Sequence, residues 1–413
     1  MKREVILALV LAFVCLASPS FALSQQHRAP ADQRWVGTWA SSPQLGAAKD
    51  APPAPGLTDS TLRQVVHVSL GGNRLRVRFS NAFGSSPLTI TSTRIALSAG
   101  GSAVQPKTDK ALQFHGQTSV TIPPGALMYS DPLDFDLPPL SDVAVTMRLS
   151  AAPGGITTHP GSREISYLLA GDHVSDEQLT GAVQVERWYF LNGVDVVASS
   201  SAAAIVALGD SITDGHGVKT NENGRWPDDL ARRLQLDKGM KDIAVLNEGI
   251  GGNRLLHDGL GPNALARFDR DVLAQAGVRW LVILEGINDL GVRPRAHERG
   301  EIAPSAQDLI AAFEQMIFRA HEHHILVYGA TVLPCGDSFY FTPELETDRQ
   351  AINQWIRSSG EFDGVIDFDA AMRDPADPSR LLPGADSGDH LHPSSEGYKK
   401  MADVIDLKLF RVH

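Results

Sequence analysis

The chain holds only two cysteines in 413 residues. One of them, Cys15, lies inside the apolar N-terminal run "VILALVLAFVCLA". Removal of that run leaves Cys335 alone, so an intrachain disulfide is excluded and stability must come from core packing, which a chain of this length supplies. Cys335 itself, in "TVLPCGDSFY", reads as a buried free thiol rather than a nucleophile. A second apolar run approaching the ~20 residues of a membrane helix is also lacking. No run of lysine and arginine occurs, and the formal net charge is −11. An acidic chain without a basic cluster excludes nucleic acid as a partner and points to a small or neutral one.

The N-terminus has its own character. Lys2 and Arg3 precede the apolar run, and Ser20 and Ala22 then offer small residues. This is the pattern of a signal peptide over residues 1–22, cleaved after Ala22, and it predicts a secreted or periplasmic protein. The run is short for a span, so no stable membrane anchor is expected.

Two rhythms follow. From 35 to 197 the sequence is strand-like and turn-rich. "QVVHVSL" and "RLRVRFS" alternate with period two around "GGN", which reads as a hairpin. "LTITSTRIAL", "VAVTMRLS" and "QVERWYFLNGVDVV" continue the pattern, predicting an all-β sandwich, jelly-roll-like. "ASSSAAA", Ala198 to Ala204, reads as the junction. From 204 to 413 the rhythm becomes strand, loop, helix. Apolar runs at "AIVAL", "IAVLN", "WLVILE", "ILVYGA" and "GVIDFD" alternate with helical patterns. In one of these, Leu309, Ala312, Phe313, Met316, Ile317 and Ala320 form a stripe at spacings of three and four. Such alternation predicts a five-stranded parallel sheet covered by helices on both faces.

In such sheets ligands bind beyond the carboxyl ends of the strands, and four motifs fall there. "GDSITDG" follows the first strand and carries Ser211. "NEGIGGN" follows the second, with Gly251 and Gly252. "EGINDLG" follows the third, with Asn288 and Asp289. "GDHLHPSSEG" lies between the fifth strand and the last helix, with Asp389 and His392. A serine hydroxyl becomes a nucleophile when a histidine held by a carboxylate takes its proton. Asp389 and His392, three apart in one loop, supply both groups. Oxyanion donors are then the Ser211 N–H, a glycine N–H from the second loop and the Asn288 amide, each worth about 3–4 kcal/mol. Neither a cofactor nor a metal is needed.

These four blocks, "GDSITDG", "NEGIGGN", "GIND" and "DHLH", resemble those of the SGNH, or GDSL, hydrolases. The resemblance implies serine esterase or acylhydrolase activity on a flavodoxin-like three-layer α/β/α fold. It implies Ser211, Asp389 and His392 as the catalytic triad, and Ser211, Gly252 and Asn288 as the oxyanion hole. The glycine comes from the family's Asn-x-x-x-x-Gly run, Asn247 to Gly252, with Gly251 as the alternative. "WVGTWASSPQ", "LRVRFSNAFG" and "WYFLNGVDV" resemble the β-rich N-terminal region of a two-domain bacterial branch associated with xylan-degrading gene clusters. The function so implied is removal of short acyl groups, such as acetyl, from a small-molecule or carbohydrate ester.

Other features read more plainly. Asp210 holds the nucleophile loop through backbone N–H groups, and Asp289 is structural. His216 and His390 are candidates to line the cleft. "HEHH", His321 to His324, ends a helix and reads as polar C-terminal residues rather than a metal site. Trp35, Trp39, Trp188 and Tyr189 fit core packing more readily than a sugar platform. Two other functions stay open: a carbohydrate-binding protein with an inactive hydrolase domain, and a metal-dependent phosphoesterase, although "GDSITDG" offers carboxylates with no histidine between them.

Overall fold

The computed structural model describes residues 33–411; the signal-peptide reading of residues 1–22 lies outside them. The first half is antiparallel. One sheet runs through strands Gln33–Ala40, Leu191–Ser199, Gly72–Ser80 and Leu133–Leu137, and a larger sheet contains Ser60–His67, Leu88–Gly100 and Asp142–Leu149. Side chains of both sheets, Val77 and Phe79 from one and Leu62 and Val143 from the other, meet in a common core.

The expected hairpin does not form. Ser60–His67 pairs with Asp142–Leu149 and Ile165–Ala170, whereas Gly72–Ser80 pairs with Leu191–Ser199 in the other sheet. The intervening residues carry the chain from sheet to sheet instead of turning it back. Their polar groups are taken up elsewhere: Val68 N–H by Ser141, and Ser69 N–H by Thr38. Gly71 passes so close to the Leu137 carbonyl that a Cβ would collide with it. Period-two alternation fixes which side of a strand faces inward, but not which strand lies beside it.

The second half is a parallel sheet. In chain order its strands are Ala203–Gly209, Ile243–Gly249, Val278–Leu284, Leu326–Ala330 and Gly364–Ile366, arranged in space as second, first, third, fourth, fifth. This is a doubly wound order. Alternate side chains of the first strand point to opposite faces. Ala204, Val206 and Leu208 join the core of helices Ala306–Glu322 and Pro343–Ser358. Ala203, Ile205 and Ala207 join that of helices Trp226–Leu236 and Ser395–Val404. Local signals set the helix ends. Ser305 and Asp308 form a capping box at the start of Ala306–Glu322, whose buried residues include the stripe Leu309, Ala312, Phe313, Met316, Ile317 and Ala320. The predicted junction is shorter than read: Ala198 and Ser199 finish one strand, and Ala203 and Ala204 begin the next.

The two halves are joined through a polar contact as well as an apolar one. Strand Ile243–Gly249 is an edge of the parallel sheet, and its Val245 N–H donates to Ser69 Oγ of the β-rich half at 3.0 Å. The fully buried Glu248 accepts from Ser42 Oγ at 2.5 Å and from Gln275 Nε2 at 2.7 Å. Arg78 in turn donates to Gln275 Oε1 at 2.9 Å.

Burial pushes the Glu248 carboxyl up to about 8, helped by the nearby Asp271 charge. An unfolded glutamate titrates near about 4.3, so the folded chain binds the extra proton between those values. The associated stability is full below the unfolded pKa and is lost as pH rises through the folded one. Thermal unfolding followed from about pH 5 to about pH 9 therefore shows a declining Tm, and Glu248→Gln flattens that decline.

Candidate active site

Ser211 is the first residue of the short helix Ser211–Asp214, directly beyond strand Ala203–Gly209. Asp210 caps that helix, its side chain accepting from Ile212 N–H at 2.9 Å. The second loop is tied to the same point. Asn247 Nδ2 donates to the Thr213 carbonyl at 2.7 Å, and Ile250 N–H donates to the Gly209 carbonyl at 3.0 Å. Gly249 packs directly against the backbone of Thr213 and Asp214.

The loop before the last helix brings its pair to this edge. Ser211 Oγ lies 2.8 Å from His392 Nε2. His392 Nδ1 lies 2.6 Å from Asp389 Oδ2. Burial raises the Asp389 carboxyl, but it is outweighed by hydrogen bonds from the His392 ring and from the His392 and Leu391 N–H groups. These hold Asp389 well below the usual carboxylate range. An ionised carboxylate only accepts, so Nδ1 carries the ring proton and Nε2 is left to accept from Ser211. Burial pushes His392 below its ordinary value, a shift partly opposed by Asp389.

Asn288 is the second residue of helix Ile287–Gly291, which follows Gly286, a glycine at φ 115°. Its Nδ2 donates to the Asn253 carbonyl at 3.0 Å and to Asp210 Oδ2 at 3.3 Å. Tyr340 Oη donates to its Oδ1 at 3.0 Å, which fixes the direction of the amide. Gly252, at φ 71°, immediately precedes Asn253, and Gly251 lines the adjoining cavity. The sequence-predicted residues thus converge on one edge of the sheet, including both alternatives for the glycine.

Other candidates fall into place around them. Asp289 accepts from Leu255 and Leu256 N–H, bracing the second loop, and burial pushes it up to about 6. The His216 ring lies 4.0 Å from the His392 ring, whereas His390 bonds to Asp386. His321 bonds to Asp363 at the end of its helix. Trp39, Trp188 and Tyr189 are buried, and Trp35 lies beneath the Arg76 guanidinium. Cys335 is buried and its thiol is pushed up to about 11 by that burial. Among the described residues, His216, Asp389 and His392 bring donor atoms within 4.8 Å of one another. A cation held there would take His392 Nε2 from Ser211.

Two residues carried no legible signal. His159, from the β-rich half, has Nε2 2.9 Å from Asp214 Oδ1 and Nδ1 2.9 Å from the Ser42 carbonyl. Burial raises Asp214, but His159, together with Arg163 and Arg225, outweighs it and keeps that carboxyl low. Tyr340 lies in "CGDSFYFTPE", a loop marked only by its composition. The contact partners of both are distant in sequence, and no local pattern announces them.

Residues 207–400 match the family described as GDSL-like Lipase/Acylhydrolase. That stretch is similar to the family, and the protein is a carboxylic ester hydrolase. Among curated proteins no sequence matches the chain. Similar solved structures include a GDSL-like lipase from Bacteroides thetaiotaomicron, 21% identical over 50% of this chain and 87% of that one, with a TM-score of 0.35. Another is the acetyl xylan esterase AlAXEase, 22% identical over 49% of this chain and 96% of that one, TM-score 0.37. A catalytic mutant of Axe2, an acetylxylan esterase from Geobacillus stearothermophilus, is 21% identical over 49% of this chain and 92% of that one, TM-score 0.39.

A Cβ at position 249 would collide with the Asp214 backbone nitrogen, which has no side-chain freedom to yield. Gly249→Ala is expected to cost about 1–3 kcal/mol of stability, the range for overpacking, and to lower ester hydrolysis by displacing the Ser211 helix. Denaturant unfolding and the initial rate on one ester, measured on the same preparation, check both effects.

Proposed function

We propose that this ester hydrolase works by a Ser-His-Asp double displacement on short-chain acyl esters, acetyl esters foremost, with a carbohydrate or similar polyol as the alcohol. The supporting observation is the continuous chain from Ser211 Oγ through His392 to Asp389, at 2.8 and 2.6 Å. In this reading Ser211 attacks the ester carbonyl while Nε2 takes its proton, and Asp389 steadies the imidazolium. The Ser211 and Gly252 N–H groups and Asn288 Nδ2 receive the oxyanion. The longer of the two Asn288 bonds, to Asp210, is the one that yields. Burial pushes the Asp210 carboxyl up, which weakens its hold on the amide. His392 then returns the proton to the departing alcohol, and water releases the acid by the same steps in reverse. We further propose that the protein is exported, on the strength of its N-terminal sequence.

Hydrolysis of p-nitrophenyl acetate, butyrate and octanoate by the native protein and by Ser211→Ala tests the nucleophile. A loss of about three decades or more is expected, with acetate the preferred ester. Activity that survives the substitution but disappears with a chelator would replace this reading with a metal-dependent one.

The base must be neutral to accept the serine proton, and burial lowers the pKa of His392. The acid limb of kcat/KM is therefore expected below the ordinary histidine value of about 6.5. A limb at or above that value in a pH–rate profile would contradict the assignment of His392 as base.

A further inference from the structure

A cavity of about 570 Å³ lies between the two halves, within the size range of small-molecule sites. Its outer wall comes from two loops of the β-rich half, one with Leu45, Ala47 and Lys49 and the other with Pro160 and Arg163. Its inner wall comes from the catalytic half and includes His216 and Leu260. We propose that this cavity is the subsite for the alcohol portion of the ester, and that the β-rich half thereby selects the substrate. The inference rests on the Ser-His-Asp reading.

The side of the active centre on which the cavity lies assigns its occupant. In double displacement the histidine delivers its proton to the leaving alcohol, so the alcohol lies on the histidine side of the serine. The cavity reaches the catalytic centre at His216, whose ring lies 4.0 Å from that of His392, and its wall also includes Gly251 of the second loop. The oxyanion candidate Asn288 instead lies beyond Asp210, with Asn253 and Tyr340.

The wall is held in place rather than draped over the site. Arg163 has a left-handed backbone, φ 50°, a conformation that a non-glycine residue keeps only where its surroundings demand it. Its carbonyl accepts from Asn221 N–H at 2.8 Å, and its Nε donates to the Gly215 carbonyl at 3.1 Å. Arg225 of the catalytic half also donates to the neighbouring Ser162 carbonyl. In the other loop, Gln44 Nε2 donates to the Leu260 carbonyl at 2.7 Å. Both loops are therefore clamped to the catalytic half.

The chemistry of the lining fits a polyhydroxylated ring system. Leu45 and Leu260 offer apolar surface, both more than half exposed at 53% and 60%. Lys49 and Arg163 add hydrogen-bond donors at the rim, and Lys49 has no ion-pair partner among the described residues. Such alternation of apolar and donor groups matches the faces and hydroxyls of a short oligosaccharide.

Two substitutions at exposed positions test this without touching the core: Ala47→Trp, which fills the cavity, and Lys49→Ala, which removes a donor. The readout is the ratio of kcat/KM for acetylated xylotriose to that for p-nitrophenyl acetate. Ala47→Trp is expected to lower the ratio by about tenfold or more, and Lys49→Ala to raise KM for the oligosaccharide by about two- to tenfold. An unchanged ratio in both variants would overturn the inference, as would a native enzyme that cleaves the aryl ester and leaves the acetylated oligosaccharide intact. Absence of Ser211-dependent turnover of p-nitrophenyl acetate would instead overturn the esterase reading on which the inference stands.

Discussion

One buried guanidinium organises the catalytic edge. Arg267 is almost wholly removed from solvent, at 1% exposure. It donates to the carbonyls of Gly209 and Glu248, at 3.0 and 2.6 Å, near the ends of the first two parallel strands. It also reaches Asn253 Oδ1 in the second loop and Ser42 Oγ in the β-rich half. A buried cation is costly unless paired and hydrogen-bonded, and here Asp271 supplies a carboxylate at 3.2 Å. Strand ends otherwise leave carbonyls unsatisfied where loops diverge. By filling those acceptors, Arg267 lets the chain leave the sheet sharply at Asp210 and Ile250, and so places Ser211 and the glycine loop side by side.

The same guanidinium explains why the β-rich half is more than an appendage. Ser42 bonds both to it and to Glu248, His159 reaches Asp214 at the end of the nucleophile helix, and Arg225 reaches back to Ser162. These are contacts between buried polar groups, so each has lost much of its hydration and depends on the partner across the junction. Only three residues separate strand Leu191–Ser199 from strand Ala203–Gly209. With so short a connection and so many buried partners, the halves form one polar and apolar framework.

How much of this was legible depends on sequence distance. Asp389 and His392 are neighbours in one loop, and Ser211 follows a strand whose apolar run is unmistakable, so the triad candidates were readable. Helix Trp226–Leu236 likewise carries its signal locally, in Pro227 at its first turn and in its apolar spacing. The strand pairings of the first half were not readable in the same way. Ser60–His67 is buried along nearly its whole length, so its alternation could not say which sheet it joins. His159 and Tyr340 escaped for a related reason: a lone histidine or tyrosine takes on meaning only from what the fold brings to it.

The face where the parallel strands begin has a consequence of its own. Gln33 pairs with Ser199, and Ser199 Oγ bonds Asp242, just before the second parallel strand begins at Ile243. Phe410 and Arg411 line one surface hollow together with Ser201 and Asp242. Gln33 and Arg411 therefore both lie where the parallel strands start, on the side opposite Ser211. Immobilisation through a side chain on this face, such as that of Ser201, would leave the catalytic edge facing outward, toward a bulky or insoluble polymer.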